Sequence, residues 1–600
     1  MLELTNQFTE PNETGWNMNE LEKTLSNHLK FIYGKENGNK LLYRVLKRLS
    51  TFQSQYPDLA LTSPTDRVNE GDSILITYGD QIQASGKTPL KALSLFLNKF
   101  VGDAISTIHI LPFFPYSSDD GFSVMDYFRV NPECGSWEDI EELNSKFRLM
   151  FDAVINHISS KSVWFQGFLS GDPKFEEFFT VMEPGTDLSR VFRPRATPLL
   201  TPFETSLGKK FVWTTFSADQ VDLNYANPDV LLEVIDILLF FAAHGADFIR
   251  LDAVTFLWKE YGTPCINLPQ THRLIQAIRT IFDIAAPKII IITETNVPHE
   301  ENVAYFGDGQ NEAQMVYNFA LPILTLNSFH TQDVSILSDW VLSLTLPSKQ
   351  NAFLNFLAGH DGIGVLPVKN ILAKDQISAV IDKTKRLGGF VSYKTNEDGT
   401  KSPYELNINY LDALNNPDNP ETENELIAKR FLAAQSIMLA LKGIPGIYIH
   451  SLLGSHNWRE GVQITGRYRT INREKFELNQ LEEELKDIQS LRHLIFNGFH
   501  HMLNTRKSSS AFHPFADQKV LSIHSKIFAL ERTSLDGGTK VICLVNISNE
   551  TIELTTELNE YLQDKCDVFI DFLNNQTFAC ADNWHSITLE PYQVRWLESH

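Results

Sequence analysis

ILLFFAAHGADFIRLDAV (237–254) changes character twice within one short stretch. An apolar helix-like run ends at Gly245, a β-type run follows from Asp247 to Leu251, and Arg250 and Asp252 close it in charge. Residues two apart on a strand share a face, so Arg250 and Asp252 point to the same side. The helix leading in reads as packing material and not as a ligand box.

Working outward, the same theme of a short β-branched run with polar residues at its end recurs seven more times. The runs are Ile74–Tyr78, Ile105–Leu111, Leu149–Ile155, Ile289–Thr293, Val316–Phe319, Phe353–Leu357 and Ile444–Ile449, separated by helix-like stretches. Eight such units predict an α/β fold, a (β/α)8 barrel, whose sites form at the C-terminal ends of the strands. Those ends carry Asp152, Asn156 and His157; Arg250 and Asp252; Thr293, Glu294 and Thr295; and Gly359, His360 and Asp361.

Two regions break the rhythm. The gap at 160–225 is too long for an ordinary loop, and an inserted subdomain is expected there. The last part of the chain reads as short strands, Val520–Arg532, Lys540–Asn549, Thr551–Leu558, Asp567–Leu573 and Ser586–Leu597, with GG and NN turn signals. Before the barrel, Leu21, Leu25, Leu29 and Ile32, then Leu42, Val45, Leu46 and Leu49, fall at helical spacing around GKENGN, predicting a helix–turn–helix-like extension. The expected division is a helical N-terminal extension (1–70), a barrel in two parts (71–157 and 226–510), an inserted subdomain (158–225) and a C-terminal antiparallel β-sandwich (511–600).

Lys and Arg number 52 against 74 Asp and Glu, a net charge of −22, which disfavours nucleic acid as the main partner. Any anion must be bound locally. Cys134, Cys265, Cys543, Cys566 and Cys580 are scattered without a C-x-x-C pair, which suits a reducing compartment. The opening MLELTNQFTEPNETGW lacks the pattern of a secretory leader, and no apolar run approaches a membrane span. A cytosolic protein without membrane partners is expected. The two-faced helices of the extension allow docking on the barrel or a homodimer.

Asp252, Glu294 and Asp361 lie at the ends of the fourth, fifth and seventh runs, which a barrel gathers around one mouth. Glycoside chemistry needs one carboxylate to attack the anomeric carbon and one carboxylic acid to protonate the leaving oxygen. Arg250 is placed to keep Asp252 ionised, while Glu294 would need a raised pKa. His109, inside the second run, is read as a core histidine, and His500, His501 and His513 have no metal-ligand spacing. GDGQNE (307–312) is not a dinucleotide fingerprint.

GFSVMDY (121–127), DAVINH (152–157), IRLDAV (249–254), ITET (292–295) and GHD (359–361) resemble, in order, the motifs of the α-amylase clan, glycoside hydrolase family 13. HDGIGV (360–365), SPYELNINYLDAL (402–414), GIPGIYIHSLLGS (443–455) and RTINRE (469–474) are similar to the sucrose phosphorylase subfamily. RLDAVTFLWKEYGTPCINLP (250–269), TETNVPHEENVAYFGDGQNEAQMVYNFALP (293–322) and the extension resemble its long members, the glucosylglycerate phosphorylases.

The resemblance implies Asp252 as nucleophile, Glu294 as general acid/base and Asp361 as transition-state stabiliser. It implies Asp119, Phe122, His157, Gln220, Arg250, His360 and Arg469 around a glucosyl ring. It implies Arg193, Arg195, Asn296, Tyr404, Glu405 and Asn407 toward phosphate and acceptor, with Arg467 and Arg473 as further candidates. Arginine suits that task because its planar fork binds phosphate oxygens in pairs. The implied partners are a small glucoside and inorganic phosphate as co-substrate, with no cofactor.

Asn156 stands where many amylases supply a calcium ligand, but the subfamily works without the ion, so no required metal is expected. Sucrose-specific members carry a histidine two residues after the acid/base and a tyrosine four after the nucleophile, where this sequence has Asn296 and Phe256. That disfavours sucrose. Sucrose 6-phosphate and glucosylglycerol stay open as leaving-group variants, as does a retaining hydrolase or transglucosidase; a silent carbohydrate-binding barrel would be marked by loss of a carboxylate, and all three are present.

Overall fold

The computed structural model describes residues 19–61, 67–396, 398–419, 423–554, 568–579 and 587–599. Eight parallel strands close into a barrel: β1 Ile74–Thr77, β2 Thr107–Ile110, β3 Arg148–Ala153, β4 Ala246–Leu251, β5 Ile290–Thr293, β6 Met315–Tyr317, β7 Ala352–Phe356 and β8 Ile444–Tyr448. Each pairs with its neighbours in sequence, and β1 closes on β8 with Ile74 opposite Gly446. The strands are short and almost wholly buried because helices cover the outside and side chains fill the inside. Every expected run lies on one of these strands.

The helical extension is one element, Glu20–Gln55, bent at Gly34. Asn19 opens it with a capping box: its side chain accepts from the Glu22 backbone, and the Glu22 carboxylate accepts from the Asn19 backbone, each at 2.9 Å. Gly34, at φ 77° and ψ 169°, adopts a conformation that a side chain resists, and the chain folds back there. The return passes so close that a Cβ on Gly38 would lie 2.8 Å from the Lys30 Cα.

Leu25, Leu29, Leu41, Val45 and Leu49 are buried against the barrel helices Pro228–Ala243 and Pro269–Ala285. Tyr33 donates to the Tyr225 carbonyl at 3.0 Å, Arg48 forks onto Asp236, and Gln53 donates to the Ile284 carbonyl. The hairpin thus docks on its own barrel.

Two excursions stand over the C-terminal mouth. Between β3 and β4 lie the helix Val163–Ser170, a three-stranded antiparallel sheet (Val181–Met182, Gly208–Trp213, Leu200–Thr205) and the pair His157–Ser159 with Gln220–Asp222. Between β7 and β8 a second sheet, Ile363–Gly364, Lys401–Asn407 and Phe390–Thr395, rises from a region that the sequence reading left within the barrel. The excursions touch at a backbone bridge between Arg193 and Thr395.

The C-terminal part holds a six-stranded antiparallel sheet and a two-stranded one that share a core of Leu521, Ile527, Ile542, Leu544, Ile552, Leu554, Ile587 and Leu589. The expected run Val520–Arg532 is broken between Asp517–Val520 and Ile527–Thr533, and Ser586–Leu597 breaks between Ile587–Leu589 and Val594–Ser599. The run Thr551–Leu558 continues past the described residues, where Cys566 and Cys580 also lie. Cys134, Cys265 and Cys543 are free and buried. Among the described residues no helix is long and apolar enough to cross a membrane.

Candidate active site

Barrel register brings the first two carboxylates together. Leu251 on β4 lies opposite Thr293 on β5, and the Glu294 N–H bonds the Leu251 carbonyl at 3.1 Å, so Asp252 and Glu294 leave adjacent strands side by side. Ala253 takes a left-handed conformation, φ 50°, uncommon for a residue with a side chain. That turn aims its N–H at Glu294 Oε2, 3.0 Å away. Asp361, just beyond β7, faces the same cavity and pairs with the Arg469 Nη1. Asn472 ties the loop beneath it by donating to the Gly359 and Asp361 carbonyls.

Under Asp252 the barrel interior is polar. Arg250 Nη1 bonds Asp252 Oδ1 at 2.9 Å and also pairs with Asp152 Oδ1. Asp152 Oδ2 lies 2.7 Å from His109 Nε2, both side chains fully buried. His109 Nδ1 has no partner, so the proton is assigned to Nε2 and the ring donates to Asp152. The core histidine of the sequence reading is the back wall of a chain from His109 to Asp152 to Arg250 to Asp252.

Burial pushes Asp152 up, but Arg250 and His109 outweigh it and hold the carboxyl at about 2. Burial raises both Asp252 and Glu294 above the ordinary range, and the negative charge of Glu294 adds to the rise at Asp252 as that of Asp361 adds to the rise at Glu294. Arg250 opposes the rise at Asp252 without cancelling it, so burial acts on that group beside the charge pairing read from the sequence. The pair keeps one proton more readily than two separate carboxyls would. We place it on Glu294, because Asp252 has the guanidinium at 2.9 Å whereas Glu294 has a backbone N–H. Asp361 is also pushed up by burial, but Arg469, His360, Arg473 and Arg250 together hold it well below the usual carboxylate range.

The next wall comes from a turn in which Asp119, Asp120 and Gly121 all have positive φ, 55°, 49° and 108°. Gly121 is required, since a Cβ there would sit 2.4 Å from the Pro112 carbonyl oxygen. Arg473 Nη1 anchors Asp120 at 2.5 Å, which leaves Asp119 to face the cavity. Asp219 accepts from the hydroxyls of Ser117, Ser118, Ser123 and Ser160 and so ties this turn to the insertion that carries Gln220. Gln220 donates to the Phe122 carbonyl at 3.0 Å. Phe122 stacks on His360, centroids 4.7 Å apart and planes within 2°. Burial lowers His360 to about 3 and lowers His157 as well, so both rings are neutral.

The outer wall is cationic. Arg195 lies over the rings of Phe216 and Tyr404 at 5.6 Å from each, and Glu405 sits between Arg195 and Arg469. Asn296 lines the same space with a buried Oδ1 that has no partner, and Phe256 lies beside it.

Two of the six residues expected toward phosphate and acceptor fall outside. Arg193 bonds the Thr197 carbonyl and lines no part of the cavity, its backbone being bridged to Thr395 on the other excursion. Asn407 is fully buried behind Glu405, donating to the Ser392 hydroxyl at 2.9 Å. Phe216, Thr255 and Phe319 line the cavity without having been singled out, since an uncharged residue with no assigned role in a motif carries no signal in one sequence.

The amide oxygen of Asn156 is 2.9 Å from Lys259 Nζ, which is 2.8 Å from Asp222 Oδ2. Lys259 is almost fully enclosed, so an ammonium from the loop after β4 joins β3 to the insertion at that place. Among the described residues no group of three or more His, Cys, Asp and Glu side chains is arranged to hold a metal ion.

Barrel, mouth and carboxylates together define a catalytic domain of the α-amylase class, and residues 101–363 match the family described as alpha amylase, catalytic domain. The solved sucrose 6F-phosphate phosphorylase from Thermoanaerobacter thermosaccharolyticum superposes with a TM-score of 0.69 at 25% identity, covering 80% of this chain and 94% of that one. Over nearly its whole length the chain is similar to the glucosylglycerate phosphorylases of Spirochaeta thermophila and Allomeiothermus silvanus. Identities are 48% and 45%, covering 95% and 96% of this chain and 97% and 99% of theirs. The chain belongs to the glucosylglycerate phosphorylase family.

Proposed function

We propose that the protein is a retaining phosphorylase that converts 2-O-(α-D-glucopyranosyl)-D-glycerate and phosphate into α-D-glucose 1-phosphate and D-glycerate. The observation that carries this is the meeting of Asp252 and Glu294 with two arginines, Arg195 and Arg469, in one cavity of a chain with net charge −22. A hydrolase needs only the two carboxyls. The arginines supply what an anionic acceptor and an anionic leaving group need. The likeness to the two phosphorylases supports glycerate as that leaving group.

In the first step Asp252 attacks the anomeric carbon while the bond to the glycerate O2 breaks, and Glu294 gives its proton to that oxygen. Glycerate leaves, and a β-glucosyl ester remains on Asp252. In the second step a phosphate oxygen attacks the same carbon, the ester bond breaks, and Asp252 departs as a carboxylate. Glu294 takes a proton from the attacking phosphate. Two inversions give net retention, and the balance closes without a cofactor.

Asp361, held ionised by Arg469, faces the charge that develops on the ring. Asp119, His157, Gln220 and His360 present donors and acceptors to sugar hydroxyls, and Phe122 backs His360. Tyr404 and Asn296 face the acceptor side. The phosphorylated product is retained by a cell, which fits a cytosolic enzyme.

The test is the reverse reaction from glucose 1-phosphate with D-glycerate, glycerol, fructose and fructose 6-phosphate in parallel. D-glycerate is expected to be preferred by a wide margin; preference for fructose overturns the assignment. Glucosylglycerate consumption that does not depend on phosphate overturns the phosphorylase reading itself.

A further inference from the structure

Five carboxylates line the cavity, Asp119, Asp252, Glu294, Asp361 and Glu405, against two lining guanidinium groups, Arg195 and Arg469. Glu405 differs from the others in where its charge is directed. It is 2% exposed, and its carboxylate grips Arg469 at two points, Nη2 at 2.5 Å and Nε at 3.1 Å. The same carboxylate lies 3.6 Å from Arg195. Arg469 Nη1 is already on Asp361, so every nitrogen of that guanidinium faces a carboxylate. A cavity meant to take an anion has its cations occupied by the protein's own acid.

The backbone beneath Glu405 is irregular. Glu405 pairs with Ser392 but Pro403 pairs with Tyr393, a register shift that places a bulge beside Glu405, next to a proline that has no N–H for the ladder. Glu405 also forms part of the wall of an outer chamber lined by Arg195, Ser118, Tyr393, Arg467 and Tyr468. An anion arriving through that chamber meets Arg195 and the Glu405 carboxylate before it meets Asp252.

We propose that Glu405 is a built-in competitor for the anion site, holding Arg195 and Arg469 between turnovers and yielding them to whichever anion, glycerate or phosphate, arrives. This rests on the phosphorylase reading above. The logic is one of exchange. One cycle must release a carboxylate and admit a phosphate at the same place, and a pair of unopposed arginines would bind each too tightly to let it go. An internal carboxylate weakens both anions alike, and it is chemically the same group as the one glycerate carries. Glu405 acts through the two arginines, as a positioning residue.

The experiment is Glu405→Gln, which keeps shape and removes charge. KM for phosphate in phosphorolysis and KM for D-glycerate in synthesis are expected to fall together by about tenfold or more, with a lower kcat as anion release slows. Sulfate, an inert dianion, is expected to inhibit the variant at concentrations that leave the wild type unaffected. Unchanged or raised KM values for both anions overturn the proposal, as they would for a residue that binds substrate hydroxyls or only supports the loop.

Should the variant not fold, the structure of the wild type at saturating phosphate decides. Glu405 turned away from Arg469 supports the proposal, and phosphate bound with the Glu405–Arg469 fork intact overturns it. A wild type that ignores phosphate sinks the phosphorylase reading, whereas a phosphate-dependent wild type with no KM change in the variant sinks this inference alone.

Discussion

Replacing Glu294 by Gln isolates the proton that the mechanism assigns to it. The amide oxygen of Gln can still accept from the Ala253 N–H now 3.0 Å from Oε2, so the local geometry is retained and the change is chemical. General acid catalysis contributes about 10²–10⁴-fold, or about 2.7–5.4 kcal/mol at 1.36 kcal/mol per tenfold. The structure selects the upper end, because no neighbour can stand in. Asp361 is ionised under the influence of its arginines, and His360, lowered by burial to about 3, carries no proton to give.

A loss of about 10³–10⁴ in kcat/KM is expected with glucosylglycerate. With α-glucosyl fluoride, whose leaving group needs little protonation, it should stay within about tenfold. The pH profile adds a sign. Glu294 works protonated and burial raises its pKa, so wild-type activity falls as pH rises through a value above the ordinary carboxylate range, and the variant should lack that alkaline limb. Equal losses on the two substrates, or an unchanged limb, would refute Glu294 as the proton donor.

His109→Leu removes the bond to Asp152 and should lower kcat by about tenfold with little change in KM, while His109→Asn, which keeps a donor, should recover part of it; identical kinetics of Leu and wild type would rule the relay out. The same variant tests acid stability. Asp152 is held at about 2, below its unfolded value of about 3.9, so its contribution is present above about pH 4 and lost as pH falls toward 2. Without His109 the folded pKa rises, that contribution shrinks, and acid unfolding should begin at higher pH. Lys259→Met leaves the buried Asp222 without its ammonium, at a cost of about 3–5 kcal/mol, and should shorten the half-life of thermal inactivation many-fold. Gly121→Ala drives a Cβ toward the Pro112 oxygen and should raise KM for glucosyl donors by displacing Asp119, measurable with α-glucosyl fluoride.

How much of this was legible follows from what each feature depends on. The eight strands could be read because each is a buried β-branched run, and the carboxylates because a barrel gathers strand ends at one mouth whatever the sequence distance between them. GKENGN marked the fold-back at Gly34 for a local reason, a glycine where φ must be positive. Glu405, Lys259 and Asp219 take their meaning from partners on other segments, Arg469, Asp222 and four serines, and one sequence contains no record of those meetings. Of Arg193 and Arg195 the motif context favours Arg195, and it is Arg195 that lines the cavity. Arg250 beside Asp252 was visible from their spacing, but burial, which outweighs it, was not.

The ammonium of Lys259 has a consequence for how the insertion is secured. A divalent ion at such a joint is shared with the solvent, so the joint has a dissociation constant and loosens when the ion is diluted or chelated. A lysine is tethered by its own backbone and cannot wash away; its effective concentration is set once, when the chain folds. The corresponding weakness is chemical. Enclosed as it is, that amine meets an acylating reagent only when the joint opens, and its acylation would then discharge the joint in one irreversible event.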